Sequence, residues 1–513
     1  MRLTESLFDD GPPPPCPAPF NMAAHALWAG QPEDRIALTV VDGAGAARER
    51  WRYGALREAV ARTAGGLVAA GLRRGDRVML RLGNRSDFPI LHLAAAAAGG
   101  VPAPTSPMLS PQEARWIAED LGARFLCVDA DLRFDPPAGC AALGPAEMDA
   151  LRAAAPVEPV ATSPDDPAFA VYTSGSSGRP KGVLHAHRAT WARRMMWRGW
   201  YGLTAEDVML HAGAFNWTYT LGAGLMDPWG AGASTVIYDG PTDPGVWSRI
   251  AAATGATLFA ATPGVLRQLL KYGEAVGRDM AGLRHALCAG EKLSDGLAEA
   301  WRAETGKPVF EALGMSEIST YLSFSPEAPP APGRVGRPQP GRRVAVLTRS
   351  SDRPARIGET GELAVSRRDP GLMLGYWRDE AATAAAFRGE WFVTGDLAEM
   401  DETGKVAHRG RADEVMNAGG YRVAPQEIEA ALLSHPGVAE AAAVEVRPRP
   451  DLSIIAAFVV AEGIAPEALR EWIAPRLAAY KRPKHIEVVD ALPKTPTGKL
   501  RRKALAQRPL NGR

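Results

Sequence analysis

Between residues 51 and 263, short apolar runs recur at intervals: VMLRL at 78–82, FLCVD at 125–129, FAVYT at 169–173, DVMLHAG at 207–213, STVIYDG at 234–240 and TLFAATP at 257–263. Segments of helical periodicity separate them, and strands alternating with helices predict parallel sheets with crossover helices. Ligands of such sheets gather beyond the carboxyl ends of the strands, which is where the Gly/Ser-rich turns of this chain fall. From 335 to 411 the pattern changes to short strands (VAVL, GELAV, WFVTGD, KVAHRG) divided by Gly, Asp and Pro turns, which predicts a small β-barrel or sheet. Beyond 411 the pattern reads strand, helix (427–435), two strands (439–446 and 454–462) and a further helix (467–478), a small α+β unit with its boundary near Asp413. The prolines between 12 and 19 predict an extended leader, and no repeat of solenoid or propeller period is present.

At 513 residues, with 46% hydrophobic and 23% charged, the chain suffices for several folded units. The net charge of +1 gives no global basic field, so nucleic-acid binding is not expected. That total hides an asymmetry, because residues 481–513 hold ten Lys/Arg against two Asp/Glu. Four cysteines (Cys16, Cys127, Cys140, Cys288) without metal-ligand spacing argue against a disulfide scaffold or zinc site and fit a reducing, cytoplasmic setting. The first residues, MRLTESLFDDG, lack a signal-peptide pattern, and no apolar run predicts membrane insertion.

The segment Tyr172-Thr173-Ser174-Gly175-Ser176-Ser177-Gly178-Arg179-Pro180-Lys181-Gly182 follows a predicted strand. Its glycines permit close backbone approach, its hydroxyls donate hydrogen bonds, and Lys181 adds charge, a composition suited to cradling a polyphosphate. It is not a Walker A loop, since Pro180 stands where the second glycine belongs. By composition alone such a loop serves as a linker as readily as a phosphate site.

The loop resembles the signature of the adenylate-forming (AMP-binding) superfamily, and further motifs follow in that family's order. They are Gly290-Glu291-Lys292, Leu313-Gly314-Met315-Ser316-Glu317, Gly375-Tyr376-Trp377, Thr394-Gly395-Asp396, Gly410-Arg411, Gly419-Gly420-Tyr421-Arg422 and a closing P-K-T-P-T-G-K that ends at Lys499. The resemblance implies an α/β fold: an N-terminal AMP-binding domain, 1–412, of two doubly wound αβα sheets plus a small β-barrel at about 335–411, then a small mobile α+β C-terminal domain, 413–513. It also implies an ATP-dependent acid:CoA ligase, an acyl-CoA synthetase of the medium-chain or benzoate type. Such an enzyme makes an acyl-adenylate with release of pyrophosphate, then an acyl-CoA with release of AMP.

On this resemblance Lys499 is the catalytic lysine between substrate carboxylate and α-phosphate. Glu317 is the Mg2+ ligand, a hard cation needing few protein carboxylates, with Ser316 beside it. ATP or AMP is held by Thr173, Ser174, Gly175, Ser176, Ser177, Gly178, Lys181, Gly290, Glu291, Lys292, Leu313, Gly314 and Met315. Asp396 and Arg411 take the ribose and phosphate, with Arg422 in the same set. Asp413 is the hinge of a rotating terminal domain, and Gly419, Gly420 and Tyr421 line the coenzyme A path. Leu313 stands where many members carry an aromatic ring, and Ser316 where threonine is common.

The acyl pocket is expected at His211, Phe215, Trp217 and Tyr219, the last three spaced by two and so on one face if the segment is a strand. The expected acid is small to medium, aromatic or branched. Alternatives are a short- or medium-chain fatty acyl-CoA synthetase, a stand-alone enzyme loading an acyl carrier protein, and a catalytically dead nucleotide-binding regulator. A homodimer and a lysine acyltransferase acting on Lys499 complete the partners left open.

Overall fold

The computed structural model describes residues 2–174, 180–241, 243–412, 416–418, 421–423, 425–449, 452–477, 481–495 and 500–510. The chain divides into two compact units, one of residues 8–344 and 366–390, the other of residues 1–7, 345–365 and 391–513.

The first unit contains a nine-stranded sheet whose central strands, among them Val208–His211, Ser234–Tyr238, Leu258–Ala261, His285–Ala289 and Val309–Met315, pair in parallel. Successive side chains on a strand point to opposite faces, and both faces here are covered. Leu210, Phe259, Ala261, Ala286 and Cys288 pack in one apolar cluster with helix residues Ile250, Leu266, Leu269, Leu297 and Trp301. Their neighbours Met209, Leu258, Ala260, Leu287 and Phe310 pack in another with Met196, Trp200 and Tyr201. This is the double winding expected from the alternating pattern. A second, four-stranded sheet built on Arg77–Arg81 is parallel throughout.

One strand departs from that pattern. Pro167–Ser174 pairs antiparallel with the next strand, Pro180–Ala186, with Thr173 opposite Lys181 and Ser174 opposite Pro180. A parallel return needs a crossover of a dozen residues or more, and the few available here allow only a hairpin. The described flanks of the phosphate-loop segment are therefore an antiparallel pair, to which the short strand Gly375–Tyr376 adds a third member.

In the second unit, Val344–Leu347, Gly361–Ser366, Trp391–Met400 and Val406–Arg411 belong to one sheet. Helices Pro425–Leu433 and Pro466–Ile473 contribute Ile428, Leu432, Leu469 and Ile473 to a core shared with Ile455, Ala457 and Val459 of the strand Leu452–Ala461. The basic C-terminal segment finds its counter-charges inside this unit: Lys481 pairs with Glu427, Lys494 with Glu440 at 2.7 Å, Arg502 with Glu429 and Arg508 with Glu487 at 2.9 Å. Among the described residues no helix is long and apolar enough to cross a membrane.

Candidate active site

The hairpin fixes the phosphate-loop flanks. Trp377 donates its amide to the Gly182 carbonyl at 2.7 Å, and a Cβ at 182 would lie 3.0 Å from that of Trp377, so the glycine admits the third strand. This pairing places Tyr376 under Lys181, whose Nζ sits 5.0 Å from the ring centroid and 3.5 Å from the Asp379 carboxylate. The Tyr376 hydroxyl donates to Glu317 Oε1 at 2.9 Å, and the Glu317 carbonyl accepts from the Met373 amide at 2.8 Å. One tyrosine thus joins the loop lysine to the carboxylate assigned to the metal. Gly175, Ser176, Ser177 and Gly178 lie outside the described residues, and Ser174 is placed as strand backbone.

Leu313, Gly314 and Met315 end the strand Val309–Met315, where the register slips between Leu313 and Gly314. A Cβ on Gly314 would stand 2.4 Å from the Ser319 carbonyl, so only glycine lets the two strands close here. Glu311 on the same strand was not singled out from sequence. Its Oε1 accepts the Leu293 amide at 2.8 Å, anchoring the turn of Gly290, Glu291 and Lys292, and burial pushes its carboxyl up to about 8. Gly290 ends the strand His285–Ala289 at φ +99°.

Ser316 offers its carbonyl to His185 Nε2 at 2.7 Å, and His185 stacks on Phe169 with centroids 4.7 Å apart. Ser319 takes a left-handed φ of +71° and accepts a hydrogen bond from Arg193 Nη1 at 2.5 Å. Arg193 is buried against Asp227, with Nε 2.9 Å and 3.0 Å from the two carboxylate oxygens and Nη2 2.6 Å from Oδ2. A cavity of about 20 Å³ is lined by Phe169, His185, Arg193, Leu221, Ser316 and Ser319, among others.

The shared strand face expected of Phe215, Trp217 and Tyr219 does not form. The strand ends at His211, the Trp217 amide closes a turn onto the Ala214 carbonyl at 3.1 Å, and Trp217 then precedes the short helix Thr218–Leu221. The aromatic rings consequently part: Phe215 packs on Phe88, whereas Tyr219 packs on Trp200 and on His211, its centroid 4.4 Å from the imidazole. Both nitrogens of His211 are buried without a partner among the described residues, and burial pushes its pKa down to about 3.

In the other unit Asp396 and Arg411 face each other across a strand pair, with Arg411 Nη1 3.4 Å from Asp396 Oδ1 and 2.9 Å from the Thr394 carbonyl. His408, also not singled out from sequence, approaches Asp396 Oδ1 to 3.2 Å through Nε2. A Cβ on Gly395, whose φ is +76°, would lie 2.8 Å from Arg411 Nη2, so this glycine leaves the guanidinium its place. Tyr421 and Arg422 are backbone of the strand Tyr421–Val423, paired with Met416–Ala418. Asp413, Gly419, Gly420 and Lys499 lie outside the described residues. Lys494 and Leu500, on either side of Lys499 in the chain, pair with each other antiparallel.

Known proteins resemble this chain in sequence and in fold. The family model described as AMP-binding enzyme matches residues 25–377, and that described as AMP-binding enzyme C-terminal domain matches residues 427–499. The chain is 30% identical over 474 residues to the 3-hydroxybenzoate–CoA ligase of Aromatoleum sp. (strain CIB), covering 88% of this chain and 90% of that one. With the benzoate–CoA ligase of Thauera aromatica it shares 31% identity over 526 residues, covering 97% and 98%. The crystal structure of ATP-bound MatB from Rhodopseudomonas palustris matches with a TM-score of 0.87 at 26% identity, over 95% of this chain and 98% of that one. The ordered motifs, the doubly covered sheet and these matches agree: the chain belongs to the AMP-binding enzyme family and, within it, to the acyl-CoA synthetases.

Proposed function

We propose that this ATP-dependent acid:CoA ligase activates a compact aromatic carboxylic acid. The observation that carries the chemistry is the Tyr376 bridge, which sets a phosphate-seeking lysine and a carboxylate side by side. The aromatic assignment is supported by relatives that take 3-hydroxybenzoate and benzoate.

A carboxylate resists nucleophiles because of its own charge, so it is first joined to AMP. Lys181 meets the triphosphate, and Lys499 stabilises the negative charge that develops as the carboxylate attacks the α-phosphorus and pyrophosphate departs. Asp396 accepts from the ribose hydroxyls, and Arg411 steadies it from the facing strand. Coenzyme A then attacks the acyl carbon through its thiol, past Gly419 and Gly420, and AMP leaves. Asp413 is the pivot that withdraws Lys499 between the two steps.

Magnesium fits the residues present. Glu317 Oε1 is oriented by Tyr376. Glu317 would hold the ion together with ATP oxygens, since such a cation takes few protein carboxylates, and the ion would supply charge neutralisation at the phosphates.

Pyrophosphate release measured across acetate, butyrate, octanoate, benzoate, hydroxybenzoates, aminobenzoate and cinnamates tests the reading. Highest kcat/KM among the aromatic acids is expected. A flat profile or an aliphatic preference overturns it.

A further inference from the structure

The cavity beside Ser316 is too small for an aromatic ring. At about 20 Å³ it holds one group the size of a water molecule or a hydroxyl. Its position is informative, because it lies between the segment carrying Glu317 and the helix that follows His211 and Trp217, with Ser316, Ser319, Thr218 and Leu221 among its lining.

Its polar groups are incompletely used. Arg193 has five N–H donors. Two groups of them go to Asp227, one reaches the Tyr201 hydroxyl at 3.3 Å and one the Ser319 Oγ, leaving one Nη1 hydrogen without an acceptor among the described residues. Ser319 Oγ accepts from Arg193, and its own proton has no acceptor there either. His185 donates from Nε2, since the Ser316 carbonyl can only accept, and its Nδ1 is buried without a partner. Burial also pushes the pKa of His185 down to about 4, so at neutral pH that Nδ1 is a lone-pair acceptor. Arg193, Ser319 and His185, all of which line this space, thus hold two donors and one acceptor that nothing among the described residues engages. Gly222 leaves the guanidinium its place, since a Cβ there would stand 2.0 Å from Nη2.

Building on the aromatic reading above, we infer that this cavity is a subsite for a hydroxyl substituent of the acid, which accepts from Ser319, itself oriented by Arg193, and donates to His185. Ser319 is then a specificity-determining residue and Arg193 the residue that positions it. Benzoate leaves the donors unpaired or answered by a trapped water, and a site built for a hydroxyl discriminates against the analogue that lacks it.

The experiment compares kcat/KM for the hydroxybenzoate isomers and for benzoate, in the wild type and in Ser319→Ala and Ser319→Gly. Arg193 is left in place, because removing one member of a buried ion pair strands the other charge. Alanine deletes the hydroxyl and keeps the left-handed strain, whereas glycine deletes it and relieves the strain, so a backbone effect shows as a difference between the two. Taking the ratio of the two acids within each variant cancels changes in the shared chemistry. One hydroxy isomer is expected to exceed benzoate by about 10- to 100-fold in the wild type, and both variants should bring that ratio within about threefold of unity. A wild-type ratio near one for every isomer, or a ratio unchanged in both variants, overturns the subsite while leaving the aromatic reading standing if benzoate is turned over. Turnover of aliphatic acids alone overturns both.

Discussion

Replacing Tyr376 by Phe deletes one hydroxyl while the ring stays under Lys181. The lost bond is the 2.9 Å donation to Glu317 Oε1, at a half-buried position. A hydrogen bond to a charged acceptor contributes about 1.5–3 kcal/mol, and partial exposure puts this one near the lower figure, which corresponds to about a tenfold change in an equilibrium. Since the bond orients the carboxylate assigned to magnesium, the change belongs in metal dependence. Pyrophosphate release titrated with Mg2+ at saturating ATP and acid should show a half-saturation about tenfold higher than in the wild type. Thioester formation from synthetic acyl-AMP and CoA, which needs no triphosphate, should be unaffected. Tyr376→Leu should additionally raise the KM for ATP, because it also removes the ring beneath Lys181. An unchanged Mg2+ profile in Tyr376→Phe, or equal loss in both half-reactions, refutes the reasoning.

Lys499→Ala should abolish pyrophosphate-releasing adenylation yet still convert synthetic acyl-AMP and CoA to thioester; parallel loss of both steps counts against its assigned role. Asp413→Pro should do the reverse, because a fixed φ obstructs rotation, and single-turnover assays of the two steps decide it. Gly395→Ala places a side chain at φ +76° and 2.8 Å from Arg411 Nη2; a stability loss of about 1–2 kcal/mol in urea denaturation and a raised KM for ATP are expected. Glu311, raised from 4.5 to about 8 by burial, favours the protonated form in the folded state, so its contribution to stability is highest below about pH 4.5 and declines as pH rises toward 8. Urea midpoints should therefore fall less steeply across that window in Glu311→Gln than in the wild type, and parallel profiles would contradict the burial argument.

What could be read along the chain was whatever local order encodes. The strands at 125–128, 234–238 and 258–261 fall where apolar runs announce them, and the alternation of Leu258 and Ala260 against Phe259 and Ala261 gives the sheet its two packed faces. The aromatic residues at 215, 217 and 219 misled because spacing by two has meaning only on an extended backbone, and the turn from Ala214 to Trp217 begins a helix instead. Gly213 just before them was the available signal of that break. Tyr376 was visible as a motif, but its tie to Glu317 spans 59 positions, and the Arg193–Asp227 pair spans 34. No local periodicity reports such meetings, because tertiary packing creates them. His408 was nearer to hand: in a hairpin registered on Asp396 and Arg411 it lies close to that pair.

The resting place of Lys181 bears on nucleotide affinity. Its two neighbours, a tyrosine face at 5.0 Å and a carboxylate at 3.5 Å, are partly open to solvent. Each such attraction amounts to about 1 kcal/mol or less. Drawing the ammonium onto a phosphate thus requires surrendering little, about 30-fold in binding at most, whereas a deeply buried ion pair would have opposed every encounter with ATP. The lysine is parked in a way that keeps its rotamer ordered before the nucleotide arrives, and it is released from that perch by the same charge that it will serve.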